Sequence, residues 1–135
     1  MLLVQTKVDI SKIPNAGKGL FLGQPVEQGT IVCRFDPQTD RLFTEDQIGE
    51  LPKDRQDYIR SHGRYSEEKG VWAVDGDDFQ YVNHSDKPTL RGKGGPLGEF
   101  VAAFDLPAGA ELTLYYPEIC DKSRETGLID TSKVV

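Results

Sequence analysis

The sequence predicts a mainly β protein carrying one short helical insertion. Short apolar runs rich in Val, Ile, Phe and Tyr recur along the chain, separated by Gly, Pro, Asn and Asp, which is strand-and-turn chemistry. Helix-start signals gather in a single stretch, residues 44–61. No helical pattern recurs between successive strands, so a doubly wound α/β fold is excluded. At 135 residues the chain fits one domain with a modest core. We place that domain at residues 1–120 and read 121–135, which lack aromatics, as a polar C-terminal tail.

Val4, Thr6, Val8 and Ile10 alternate with Gln5, Lys7 and Asp9, the period of a half-buried strand. Residues 11–19 read as a turn holding Pro14, Asn15, Gly17 and Gly19. A short apolar strand follows at 20–22, a turn at 25–29, and a strand at 30–35 with Ile31 and Val32. In the insertion, Thr44 and Gln47 have capping-box spacing, and Pro52 suits the first turn of a second short helix. Ile48, Leu51, Tyr58 and Ile59 give it a thin apolar face, and Gly63 ends it. Strands are predicted again at 71–74, 79–82, 100–104 and 111–116. Asp75-Gly76, the glycine-rich 91–98 and Pro107-Ala108-Gly109 form the turns between them.

Composition narrows the partners. With 37% hydrophobic and 28% charged residues the chain is globular rather than disordered. A net charge of -6 opposes direct nucleic-acid binding and favours cationic partners such as a lysine-rich peptide or a sulfonium; solubility alone is the plainer reading. No apolar run is long enough to span a bilayer. Met1-Leu2-Leu3-Val4 is broken at once by Gln5 and Lys7, unlike a signal peptide, so an intracellular protein is expected, in the cytoplasm or in a nucleus if there is one. Cys33 and Cys120 are expected reduced and buried. With His62 and His84 as the two histidines, no metal site is predicted.

Three motifs are unremarkable singly. Gly17-Lys18-Gly19 is followed by Gly23, one place too late for a dinucleotide fingerprint, so alone it is a turn. Asn83-His84-Ser85, within Tyr81-Val82-Asn83-His84-Ser85, reads as a strand leaving the core with its polar groups partnered. Its Asn can cross-brace two backbone segments or hold a ligand's polar end. The run 111–116 is a strand ending in Tyr115 and Tyr116 before Pro117. In this order, Gly17-Lys18-Gly19-Leu20-Phe21, Asn83-His84-Ser85 with Pro88, and Gly109-Ala110-Glu111-Leu112-Thr113 with Tyr116, they resemble the SET-domain protein lysine methyltransferases. The similarity extends over residues 8–116 and includes 26–30 and 101–106.

The resemblance implies a SET-domain fold of β-clip type, its C-terminal segment crossing through an earlier loop as a pseudoknot beside Asn83-His84. It implies S-adenosylmethionine as cofactor, leaving as S-adenosylhomocysteine, with Gly17, Lys18, Gly19, Leu20, Asn83 and His84 as binding residues. Tyr116 matches the family's catalytic tyrosine, and Tyr81, Leu114 and Tyr115 are candidates for the lysine channel. The implied substrate is a lysine in a histone or other basic protein tail; on charge alone, acidic residues Glu67, Glu68, Asp75, Asp77 and Asp78 are expected to steer it. The chain departs from the family pattern at Gln80, where Arg is common, at Thr89, where Asn is usual, and at Tyr115, where Asp is common. Leu114 stands where Phe or Tyr often tunes the number of methyl groups. Only Cys120 follows Tyr116, so the cysteine-rich zinc module that often closes the channel is missing. Residues 117–135, a partner subunit or the peptide would close it, as in minimal SET proteins, which are monomers or homodimers. The alternative is a SET-like module that binds a basic partner without turnover.

Overall fold

The computed structural model describes residues 1–121. In chain order the strands and helices are β1 (Thr6–Ile10), β2 (Lys18–Leu22), β3 (Ile31–Arg34), β4 (Arg41–Thr44), α1 (Glu45–Gly49) and α2 (Lys53–His62). They continue with β5 (Arg64–Ser66), β6 (Val71–Val74), β7 (Asn83–His84), β8 (Leu90–Lys93), β9 (Glu99–Ala102), β10 (Glu111–Leu114) and α3 (Tyr116–Ile119). The predicted mainly β architecture with a helical insertion is what forms.

The strands make three small sheets, in the orders β1-β2-β10-β7, β3-β9-β8 and β4-β6-β5. β2 explains the first. Leu20, Phe21 and Leu22 are all buried, so this strand is covered on both faces and takes a neighbour on each edge. β1 pairs with it antiparallel from Thr6↔Leu22 to Ile10↔Lys18, and β10 joins the other edge through Glu111↔Phe21 and Leu112↔Leu20. β7 then pairs with β10 in parallel, Thr113↔Asn83 and Leu114↔His84. The C-terminal strand is thus held between segments far apart in sequence, as the implied crossing requires.

Two apolar clusters result. The larger joins the first two sheets through Leu20, Val32, Leu90, Phe100, Leu112 and Leu114, among others. The smaller lies under the insertion and holds Ile48, Ile59, Trp72, Val74 and Cys120. Both cysteines are reduced and buried.

Several boundaries differ from expectation. Residues 79–82 are not a strand: Asp78–Tyr81 is a 3-10 turn. Asp77 caps it by accepting from the Phe79 amide at 3.1 Å, and Phe79 and Val82, three apart, both turn inward. The last strand stops at Leu114, because Pro117 sits in the first turn of the helix that Tyr116 opens. The glycine-rich 91–98 contains the end of β8, where a Cβ on Gly92 would lie 2.6 Å from Ile119 Cγ2. That glycine serves close packing rather than a turn. β4 and β5 carried no expectation. The insertion is two helices; α1 has the predicted capping box, with Pro52 at the N-cap of α2. Ile10 is 79% exposed, since β1 is an edge strand and its alternation runs past the core. Asp75 is buried rather than part of an acidic surface. The expected tail over the lysine channel lies outside the described residues beyond Asp121.

Candidate functional site

Around β10, the neighbouring segments are tied by side chains that bond to backbone, from Thr89 before β8 and from Asn83 in β7. The Thr89 hydroxyl donates to the Glu111 carbonyl at 3.0 Å and accepts from the Thr113 amide at 2.9 Å. The Thr113 hydroxyl in turn accepts from the Thr89 amide at 3.0 Å. At this departure from the family pattern, Thr still bridges to the neighbouring strand. The Asn83 side-chain amide donates to the Lys18 carbonyl at 2.9 Å, the cross-brace its chemistry allowed. It also lies 3.5 Å from Glu111 Oε2, and Glu111 accepts from the Ser11 hydroxyl at 2.6 Å and the Lys12 amide at 2.9 Å.

These bonds shape the turn before β2. Asn15 and Gly17 have positive φ, 64° and 74°, and the Ser11 amide closes the turn on the Gly17 carbonyl at 2.8 Å. At Gly19 a Cβ would come within 2.6 Å of Glu111 Oε2. Both glycines of the motif therefore have a local cause, one conformational and one steric.

His84 is 4% exposed, and its Nδ1 accepts from the Tyr116 amide at 3.1 Å. That bond puts the proton on Nε2, which faces Asp86 Oδ1 at 3.3 Å. The Tyr116 ring stands edge-on to the imidazole at 5.2 Å, and its hydroxyl donates to the Val82 carbonyl at 2.9 Å. Burial, with a smaller contribution from Cys120, pushes the phenol pKa up to about 12. It is neutral near pH 7, and with its one proton given to Val82 it presents lone pairs as an acceptor.

These groups open onto a cavity of about 290 Å³. Asn83, His84, Leu114 and Tyr116 line it from the seam, and Asn15 and Ala16 line it from the turn. The wall also includes His62 and Gly63 at the end of the insertion, Arg64 of β5 and Asp75 just after β6. Arg64 and Asp75 form a buried ion pair, Nη1 to Oδ2 at 2.5 Å, with Arg64 Nε donating to the Pro96 carbonyl at 3.0 Å. Burial lowers the His62 pKa, partly opposed by Asp75, which favours the uncharged imidazole. Gln80, also on the wall, accepts from the Tyr58 hydroxyl.

The predicted residues thus divide. Tyr116, Asn83, His84 and Leu114 share the cavity, whereas Gly17, Lys18, Gly19, Leu20, Tyr81 and Tyr115 are not on its wall. Leu20 is fully buried in the larger core. Tyr81 packs against that core with Lys18 Nζ 5.8 Å from its ring, and Tyr115 is exposed beside His84. Sequence reasoning missed Asn15 and Ala16, which sit just before the glycine motif, and missed the buried Arg64–Asp75 pair. Among the described residues, no group of His, Cys, Asp or Glu is arranged to hold a metal ion, and no helix is long and apolar enough to cross a membrane.

Comparison with known proteins agrees with this fold. Residues 17–117 match the family model described as SET domain. Similar solved structures include apo ctPRC2 with two substitutions in Ezh2, at TM-score 0.71 and 23% identity, covering 90% of this chain and 16% of that one. Another is ctPRC2 in an autoinhibited conformation bound to S-adenosylmethionine, at 0.69 and 20%, covering 96% and 17%. A third is Chaetomium thermophilum Polycomb Repressive Complex 2 bound to GSK126, at 0.70 and 21%, covering 95% and 18%. The likeness is one of fold, and this chain spans less than a fifth of each of those chains. No curated protein matches it.

Proposed function

The chain belongs to the SET-domain family, and on that premise we propose that it transfers a methyl group from S-adenosylmethionine to the side-chain amine of a protein lysine. The observation that carries the reading is that Tyr116, Asn83, His84 and the turn at Asn15-Ala16 open onto one cavity. A structure of this fold has been solved bound to S-adenosylmethionine. The cofactor, when bound, supplies an activated methyl group on a sulfonium with a good leaving group. Asn83, His84, Asn15 and Ala16 would hold it, on the wall they share.

What the chain then provides is alignment and exclusion of water. The Tyr116 oxygen, its proton given to Val82, accepts from the incoming amine and fixes its lone pair toward the methyl group. A phenol held neutral to about pH 12 orients and does not remove the proton. Desolvation in the cavity lowers the pKa of the lysine amine from its ordinary value of about 10.4, so that it enters neutral. Leu114 forms part of the apolar wall around it. The substrate is a lysine of a histone or other basic protein tail, and the protein works inside the cell as a monomer or homodimer.

A module that keeps the fold without turnover is the second reading. What favours it is that Gly17, Lys18, Gly19 and Leu20 stay off the cavity wall. Titration calorimetry with S-adenosylmethionine, run on wild type and Asn83→Ala, tests the pocket: one-site binding weakened by the substitution supports it, and no binding at millimolar cofactor, with or without a basic peptide, rejects the enzyme. Methyl transfer to a lysine-rich peptide separates the enzyme from a module that keeps the cofactor without turnover. Tyr116→Phe then lowers methyl transfer to a lysine-rich peptide by about 100-fold or more while leaving cofactor affinity unchanged.

A further inference from the structure

Tyr116 opens α3, a helix of only four residues, too short to hold its own position. Its far end is fastened by Glu118, next to the Tyr65 amide donating to Cys120 Sγ at 3.3 Å and the Asp121 amide donating to the Tyr65 carbonyl at 3.0 Å. The Glu118 carboxylate accepts from Arg91 Nη2 at 2.6 Å and Nε at 3.0 Å, and from the Gly92 backbone amide at 2.6 Å. The bonds are charge-assisted and forked, which fixes direction as well as distance. Beneath them Ile119 presses on Gly92 so closely that any side chain there would collide. At the near end, the Tyr116 amide is bonded to His84 Nδ1 at 3.1 Å.

We propose that Glu118, clamped by Arg91 and Gly92, is a positioning residue that sets where the Tyr116 hydroxyl stands in the cavity. Arg91, Gly92 and Glu118 are absent from the cavity wall, which the turn reaches through Tyr116 and Ile119. The clamp acts through one rigid turn of helix. Releasing Glu118 removes the tie from α3 to β8, leaving the turn on its His84 bond and on the bonds that Cys120 and Asp121 make to Tyr65, and the phenol shifts as the turn tilts between them. In a reaction that depends on alignment, a displacement of about 1 Å is enough to cost up to about 100-fold.

The proposal rests on the methyltransferase reading for its kinetic consequence only, so the test has two arms. In the first, amide exchange at Tyr116 and the ¹⁵N signal of His84 Nδ1 are followed by NMR in wild type, Glu118→Gln and Arg91→Gln. Glutamine keeps one acceptor oxygen in place of two and does not hollow the site. Both variants should speed Tyr116 exchange about tenfold and shift the His84 signal, with exchange in β2 and β6 unchanged. In the second arm, kcat for a lysine-rich peptide should fall about tenfold in Glu118→Gln and in Arg91→Gln, with cofactor affinity within twofold of wild type, and Arg91→Lys should lose less than Arg91→Gln. Unchanged Tyr116 exchange and His84 signal would overturn the clamp, as would equal acceleration across the whole fold. A wild type that transfers no methyl group would instead sink the enzyme reading, and the first arm would still decide the clamp.

Discussion

The two cores of this molecule are held by different chemistry. Around β2, β7 and β10 the strands are stitched by polar side chains, with Thr89, Asn83 and Glu111 each bonding to backbone of another segment. Under the insertion, Ile48, Ile59, Trp72 and Val74 pack by shape, and polar bonds lie at the edge, such as Trp72 Nε1 donating to Glu45 at 2.8 Å. A hydrogen-bonded seam tolerates few replacements, because each change strands a partner. An apolar cluster tolerates many of similar volume. The cavity lies where the two meet, and α3 ties them, with Ile119 in the larger core and Cys120 in the smaller.

Arg64 is the harshest test of that division. It belongs to the sheet of the insertion, yet its guanidinium lies 4.9 Å from the Phe100 ring and 5.9 Å from the Phe79 ring of the larger core. Asp75 is its counter-charge, and both are more than nine-tenths buried. Asp75→Ala leaves a buried cation uncompensated and should lower unfolding free energy by about 3–5 kcal/mol, measured by urea titration. Arg64→Met with Asp75→Leu should lose far less, because an apolar pair of like volume needs no solvation. If the double variant is as unstable as the single, the joint between the cores is polar in origin and the comparison breaks.

Thr89→Val probes the stitched seam at constant shape. It removes the acceptor for the Thr113 amide and the donor to the Glu111 carbonyl, for a loss of about 1–3 kcal/mol. Because β10 carries Glu111, which braces the turn at Ser11 and Lys12, the variant should also weaken S-adenosylmethionine binding in calorimetry. Loss of stability without loss of affinity would confine the stitching to folding.

The same contrast explains what could be read from the sequence. The seam was legible because its contacts demand particular residue types: Asn83 for a long-range brace, Gly19 where Glu111 closes in, and Tyr116 after a strand. The turn at 79–82 was not. Phe79 and Val82 suit a strand by composition, and only the Asp77 cap, a local competitor for the Phe79 amide, decides for 3-10 geometry. β4 and β5 were invisible because each takes its partner from β6, and neither Arg41 nor Arg64 advertises a strand. The Arg64–Asp75 part of the cavity wall stayed hidden for a related reason. A sequence shows that Arg64 and Asp75 are charged, but not that folding brings them face to face inside.

The mildest perturbation is pH at Glu118. The hydrogen bond from Arg91 comes first among the causes that hold its carboxyl below the ordinary value of 4.5, with the Gly92 amide adding to it and burial opposing. A carboxylate whose folded pKa is depressed contributes stability that is present above the unfolded pKa and lost as pH falls through the folded one. Stability between pH 7 and 5 should therefore be indifferent to this group, and the loss should begin only below about 4.5. Glu118→Gln cannot titrate there, so its urea midpoint should lie below that of wild type at neutral pH and converge with it in acid. The gap should be small, because the Arg91 side chain is 58% exposed and water screens the pair. Adding salt should narrow it further. A gap that persists undiminished at low pH would mean that Glu118 holds α3 by its shape alone, and the stitched region would then resemble the packed one.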